Sequence, residues 1–306
     1  MLNFYYIIVG CQLIYIIPSL MLYFLMFLYI LMSGDQEFNS AFHRLFIARA
    51  PADFIQVLTS LIAFRFPIAG WDGSQSIPYL AKIGFVVSQY SVLLELCSQF
   101  LLSLNRFTAI STPISHNKLW TPRSTYTLIG MSALFSLVPT SIRISQQAEY
   151  RNINGSYIPI LVVPEDQTLN SFVSCGIYTA FAVACLTCNI MSIYVHSKQR
   201  KMQLFESQPK LANKVQANLL IYSCIFTLVV IAMTTFQCLL AINLFPYTDA
   251  PEAHNIVIVL LTLSADMFAL SNPWLLFFLS STFREKFLNT RTLPKIFAST
   301  STGETT

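Results

Sequence analysis

FYYIIVGCQLIYIIPSLMLYFLMFLYILM, running from Phe4 to Met32, decides the fold: it is 29 residues long and contains no charged side chain. A helix crosses the hydrocarbon core of a bilayer with about 20 mainly apolar residues, so this stretch is long enough to span. It is too long for the apolar core of a cleaved signal peptide, roughly 7–15 residues, and no basic segment precedes it. It reads as a first spanning helix that also serves as a signal anchor.

Six more apolar runs follow, over 42–64, 79–105, 125–144, 169–196, 215–245 and 255–281. The second is the weakest, because Arg49 and Asp53 interrupt it. Helix breakers separate the runs: Ser33-Gly34-Asp35, Ala69-Gly70-Trp71-Asp72-Gly73, Asn152-Ile153-Asn154-Gly155 and Phe245-Pro246. Composition agrees with the count. Of 306 residues, 55% are hydrophobic and 10% charged, against about 25% charged in an ordinary soluble domain. In water such a chain would expose apolar patches that monomeric proteins rarely carry. The expected fold is an all-α membrane bundle of seven helices over residues 1–290, with a Ser/Thr-rich, disordered tail over 291–306.

Several functions are disfavoured at this stage. A net charge of +4 is too small to suggest nucleic acid. There is no HExxH, P-loop or GxSxG motif and no cluster of histidines, so neither an enzyme nor a cofactor is expected. All seven cysteines lie in apolar runs without zinc-type spacing and read as small buried hydrophobes.

Lys and Arg collect on the cytoplasmic side of membrane proteins. With the N-terminus outside, 14 basic residues fall on the inner side, Arg44 and Arg49 among them, and 4 on the outer: Arg65, Lys82, Arg143 and Arg151. The N-terminus is therefore expected outside and the C-terminus inside. Asn154-Gly155-Ser156 is an N-glycosylation sequon in the loop this arrangement places outside. The segment from His196 to Lys214 is basic and suits an acidic partner or anionic headgroups, or is simply a solvated inner loop. Phe283 and Phe287 share one face of a short amphipathic helix after the seventh run, expected to lie on the inner leaflet.

Three acids fall inside the runs: Asp53, Glu95 and Asp266. Ionisable groups in lipid usually face the bundle interior or mark a functional pathway. Glu95 and Arg106 are eleven residues apart, almost three helical turns, so they share a face. Asp53, Glu95 and Asn272 read either as a polar core that binds protons or cations, or as a hydrogen-bonded cluster that fixes packing. Asp266 either lines an outer cavity or pairs with a neighbouring helix.

Two motifs carry a resemblance. Leu104-Asn105-Arg106-Phe107 ends the third run, followed by Thr112-Pro113, His116 and Lys118-Leu119-Trp120-Thr121. Ser271-Asn272-Pro273-Trp274-Leu275-Leu276 sits near the end of the seventh. With seven runs, this order resembles the rhodopsin-like receptors, and more particularly nematode serpentine chemoreceptors of the Srg grouping (class gamma, class V or a close relative), over roughly residues 4–290. The resemblance implies a multi-pass receptor in the plasma membrane of sensory cells. It implies a small molecule bound from outside and a heterotrimeric G protein engaged within. Asn105, Arg106, Asn272 and Pro273 would serve coupling and activation, and Asp53 would be the acidic residue of the second helix. Gln89, Tyr90, Tyr178 and Asp266 are the candidate ligand-pocket residues.

The chain also departs from the pattern. Asn105 stands where an acid is usual, Leu276 replaces a Tyr, and the sixth run lacks a Trp-x-Pro. No Cys is placed to tie the long outer loop to the third helix. The competing reading is a seven-span transporter or channel with Asp53 and Glu95 as a proton or cation path.

Overall fold

A computed structural model of the chain describes residues 2–33, 36–77, 79–153, 155–203, 210–242 and 251–288. Among them, seven helices are long and apolar enough to cross a membrane. In chain order these spans are Leu2–Met32, Ala41–Ile68, Leu80–Ser111, Pro122–Ser145, Pro164–Gln203, Lys210–Ala241 and Pro251–Leu279. All seven overlap the expected runs. Several extend further, span three to Ser111 rather than 105 and span five to Gln203 rather than 196. Apolar composition marks the thickness of the hydrocarbon layer, whereas a helical ladder continues until something breaks it. For span three the break is Pro113, which disfavours helix at the preceding Thr112. Asn154 and the tail 291–306 lie outside the described residues.

Local signals set the helix starts. Ser40 caps span two by accepting from the His43 N–H at 3.5 Å, and Thr121 caps span four by accepting from Ser124 at 3.3 Å. Pro122 follows at the first helical position, where a missing N–H is harmless. Span two is not uniform: over Ser60–Arg65 its ladder widens into a π turn, and the Phe66 N–H donates to the Leu61 carbonyl. Such turns are rare and are often found at functional sites.

Between spans four and five the chain forms a hairpin. β1 (Ala148–Ile153) pairs antiparallel with β2 (Ser156–Leu161), Tyr150 opposite Pro159 and Ile153 opposite Ser156. The connection is the pair 154–155, and Gly155 has φ 87°, a left-handed conformation that glycine adopts at little cost. The Tyr150 hydroxyl donates to the Ala63 carbonyl at 2.8 Å, which ties the hairpin to the π turn. Burial raises the Tyr150 phenol above its ordinary range.

At the opposite end of the bundle, the short helix Pro113–Leu119 folds back on span three. Trp120 Nε1 donates to Thr108 Oγ1 at 2.8 Å, and the His116 ring lies 3.1 Å from the same hydroxyl. Partial burial lowers the His116 imidazole below its usual range. The short helix expected after the seventh span is Ser281–Leu288, and its Phe283 and Phe287 are buried against the protein. Their rings stack at 5.6 Å and meet Tyr29 edge-on at 6.0 and 5.4 Å. Aromatic partners at that end were available, and ring–ring packing holds the helix there.

The outward surface is what a bilayer requires. Ile14, Met21, Met131, Leu134, Val138, Ile190 and Leu228 are all exposed. All seven cysteines are free thiols.

Candidate functional site

One face of span three organises the interior. Phe85, Gln89, Val92, Glu95, Gln99, Ser103 and Arg106 follow one another at steps of three or four residues, the period of a single helical face. At its hairpin end this face lines a cavity of about 1030 Å³, open mouth included. Ile158 and Pro159 of β2 close over the cavity, and spans two, four, five, six and seven supply its other walls. Its polar groups include Gln89, Arg143, Ser174, Tyr178 and Gln237. Ser174 donates to Gln89 Oε1 at 3.5 Å, and Gln237 donates to the Ser171 carbonyl at 3.4 Å. Of the four expected pocket residues, Gln89 and Tyr178 line this cavity while Tyr90 and Asp266 do not. Adjacent residues on a helix point about 100° apart, so the turn that directs Gln89 inward directs Tyr90 away.

Below the cavity lies a buried ionic network. Arg49 and Asp53, four apart on span two, are both wholly buried, with Arg49 Nε donating to the two Asp53 oxygens at 3.0 and 3.2 Å. Arg49 also donates to Gln99 Oε1 at 3.2 Å and to the Phe268 carbonyl at 2.8 Å, and its guanidinium lies 4.4 Å from the Phe268 ring centre. Asp53 accepts from the Tyr23 hydroxyl at 2.6 Å, and Asn272 Nδ2 stands 3.5 Å away. Asn272 Oδ1 in turn accepts from the Tyr222 hydroxyl. Glu95 is wholly buried beside Asp53 and within electrostatic range of Arg49. Asp53, Asn272 and Glu95 thus gather as the sequence suggested. Arg49, read as an inner-edge charge, belongs with them, and its spacing to Asp53, four residues on in the same run, was the available signal.

A second pair sits nearer the hairpin. Arg65 of span two meets Asp266 of span seven, which also accepts from the Tyr15 hydroxyl of span one at 2.9 Å. Arg65 Nη2 additionally donates to the Thr262 carbonyl at 3.2 Å. Arg65 Nε and Nη1 and Asp266 Oδ1 have no hydrogen-bond partner among the described residues. Of the two expectations for Asp266, pairing with a neighbouring helix is the one observed. Arg65, counted as an outer charge, is 4% exposed.

The far end of the span-three face closes on Arg106. Its guanidinium lies 4.2 Å from the Tyr222 ring centre and 5.3 Å from that of Phe42. Asn105 is buried beside it. A recess of about 510 Å³ opens there between spans three, five and six, lined in part by Arg106, Ile110, Asn189 and Ser223. Asn189 donates to Thr227 Oγ1 at 2.5 Å and accepts from Ser223 at 2.6 Å, and Ser223 lies 3.3 Å from Ser103. Pro273 lies inside span seven next to Asn272. Trp274 Nε1 donates to Ser19 at 2.8 Å and joins spans seven and one.

The chain matches the family described as Serpentine type 7TM GPCR chemoreceptor Srv over residues 12–293. It belongs to that family, a nematode receptor family of multi-pass membrane proteins. The family matched is Srv, not the wider Srg grouping named from the sequence. No curated protein matches the chain significantly.

Proposed function

We propose that this member of the Srv family is a G-protein-coupled chemosensory receptor of the sensory-cell plasma membrane. It binds an external small molecule in the cavity under the hairpin and signals from the Arg106 end to a heterotrimeric G protein. The observation that carries this reading is the face of span three. It joins the cavity to the Arg106 recess over about 26 Å, the 17 residues from Gln89 to Arg106 at 1.5 Å each, and the Arg49–Asp53 and Ser223–Asn189 clusters both touch it, through Gln99 and Ser103. A ligand that favours one arrangement of the spans shifts the population toward it. Arg106, held by rings rather than in the Arg49–Asp53 pair, is the group whose contacts change with that shift.

The orientation follows from charge. Setting aside the arginines that turn into the bundle, Arg49 and Arg106 on one side and Arg65 and Arg143 on the other, the bias becomes twelve to two. That bias supports a hairpin, a sequon at Asn154 and a cavity on the outer side, with the Arg106 recess inside. Asn105, Arg106, Asn272 and Pro273 are the proposed coupling and activation residues. Asp53 and Glu95 form the polar core, and Gln89 and Tyr178 belong to the ligand site.

The deciding experiment measures proximity of the receptor to a panel of G-protein α subunits in membranes, wild type against Arg106→Ala at matched surface expression, with pools of attractants. A signal that falls about tenfold or more in the variant supports the reading. A stimulated signal unchanged by the substitution removes Arg106 from the mechanism. Glu95, a wholly buried acid beside Asp53, is the observation that favours a transporter as the second reading. Ion flux that Glu95→Gln abolishes, with no G-protein signal in any pool, replaces the receptor reading with that one.

A further inference from the structure

Resting on the assignment of the hairpin-end cavity as the ligand site, we infer that its ligand is an organic anion: a carboxylate, or a group of like charge and shape, on an apolar body. Among the described residues that line the cavity, Arg143 is the only charged one. It comes from the last turn of span four, and its guanidinium lies 5.3 Å from the Phe85 ring centre on span three. Its Nε is buried without a hydrogen-bond partner. Asp166, at the start of span five, acts on it electrostatically but forms no ion pair with it among the described residues.

The Arg143 guanidinium is partly withdrawn from water, and burial of such a group costs least when a carboxylate pairs with it. The other three inward-turned arginines show how this fold otherwise treats the group. Arg49 has Asp53 and Arg65 has Asp266, Arg106 lies against the Tyr222 and Phe42 rings at the far end, and Arg143 is the one that lines the hairpin-end cavity, with no ion pair to an acid among the described residues. The planar fork of an arginine matches a carboxylate with two parallel hydrogen bonds. Phe85 fixes its plane, much as Phe268 fixes that of Arg49. The rest of the cavity suits an uncharged remainder. Phe64, Val92, Met233 and Leu261 supply apolar wall, and the glutamine and serine side chains offer neutral hydrogen bonds. Among the described residues no carboxylate lines the cavity to pair with an amine.

Two matched series test the inference on the purified full chain in lipid nanodiscs: hexanoate, hexanamide and hexylamine, and benzoate, benzamide and benzylamine. Binding is read as ligand-dependent thermal stabilisation, without a G protein. The expected result is that a carboxylate binds about tenfold or more tightly than its amide, a margin of 1.4 kcal/mol, and that the amine is weakest. In Arg143→Gln this advantage disappears while amide binding persists. Arg143→Lys, which keeps the charge without the fork, recovers part of it. Amides or amines that bind as well as the acids, or no binding by either carboxylate, overturns the inference, and these comparisons stand on the wild type alone if a variant fails to fold. Carboxylate binding without coupling to any G protein would leave the inference standing and sink the receptor reading. Coupling driven by a neutral ligand would do the reverse.

Discussion

The two buried arginine–aspartate pairs use the same residues to different ends. Arg49 and Asp53 belong to one helix, and nearly every polar atom of the pair has a partner: Gln99, the Phe268 carbonyl, Tyr23 and Asn272 complete it. Arg65 and Asp266 come from different helices and leave two nitrogens and one oxygen without hydrogen bonds among the described residues. A fully satisfied buried network rigidifies its surroundings, while a partly satisfied one is easier to rearrange. The first pair is therefore the fixed point of the bundle. The second joins three spans beside the cavity, where ligand binding would be felt.

That contrast breaks or sharpens under substitution. The largest effect is expected from Arg49→Ala, which strands Asp53 in the interior and should cost about 3–5 kcal/mol, read as a steep fall in surface expression and melting temperature. Combining Arg49→Met with Asp53→Leu should recover part of the loss, since the uncompensated charge is gone although Tyr23 loses its acceptor. If Arg65→Ala lowers stability as much as Arg49→Ala, the distinction between the pairs fails. Next is Tyr23→Phe, which removes a buried hydrogen bond to a carboxylate worth about 1.5–3 kcal/mol. The matched change Tyr15→Phe removes a donor from a pair that already leaves atoms unsatisfied, and the expected loss is about 0.5–1.5 kcal/mol. Equal shifts in melting temperature for the two would argue against a difference in satisfaction. The smallest effect belongs to Tyr150→Phe. It should cost about 0.5 kcal/mol and appear mainly as faster amide exchange in the hairpin, 148–161, with the spans unchanged.

What the sequence made legible follows from these interactions. Apolar runs find spans because length and composition suffice. The shared face of Glu95 and Arg106 was also readable, since helical period alone fixes it, and both are buried in the bundle. The arginines were misplaced because a charge count records sign and not direction. Arg49 and Arg65 enter such a count as edge residues, yet both turn inward. Arg49 left a local trace in its spacing to Asp53. Arg65 left none, because its partner is 201 residues away. Asn154-Gly155 was read as a breaker and a sequon, although Asn-Gly between two strand-like runs is also the strongest short-range hairpin signal. Arg143 was counted outside on charge alone, and only the packed spans show that it enters the cavity.

The π turn of span two sets which of its side chains reach the cavity. Gln56, Ser60, Phe64 and Ile68 all line the cavity, a spacing of four residues repeated three times. On a regular helix each such step advances the direction by about 40°, so the last of the four would point about 120° away from the first. A π turn takes in roughly one residue more than a regular turn and removes about 100° of that drift. The inward stripe on this segment therefore keeps a period of four, and a search tuned to 3.6 sees it fade partway along. An inserted residue absorbed in this way keeps the phase of everything after it. Deleting one residue within 60–63 would restore the ordinary period and leave Phe64, Arg65 and Ile68 on nearly the same bearing.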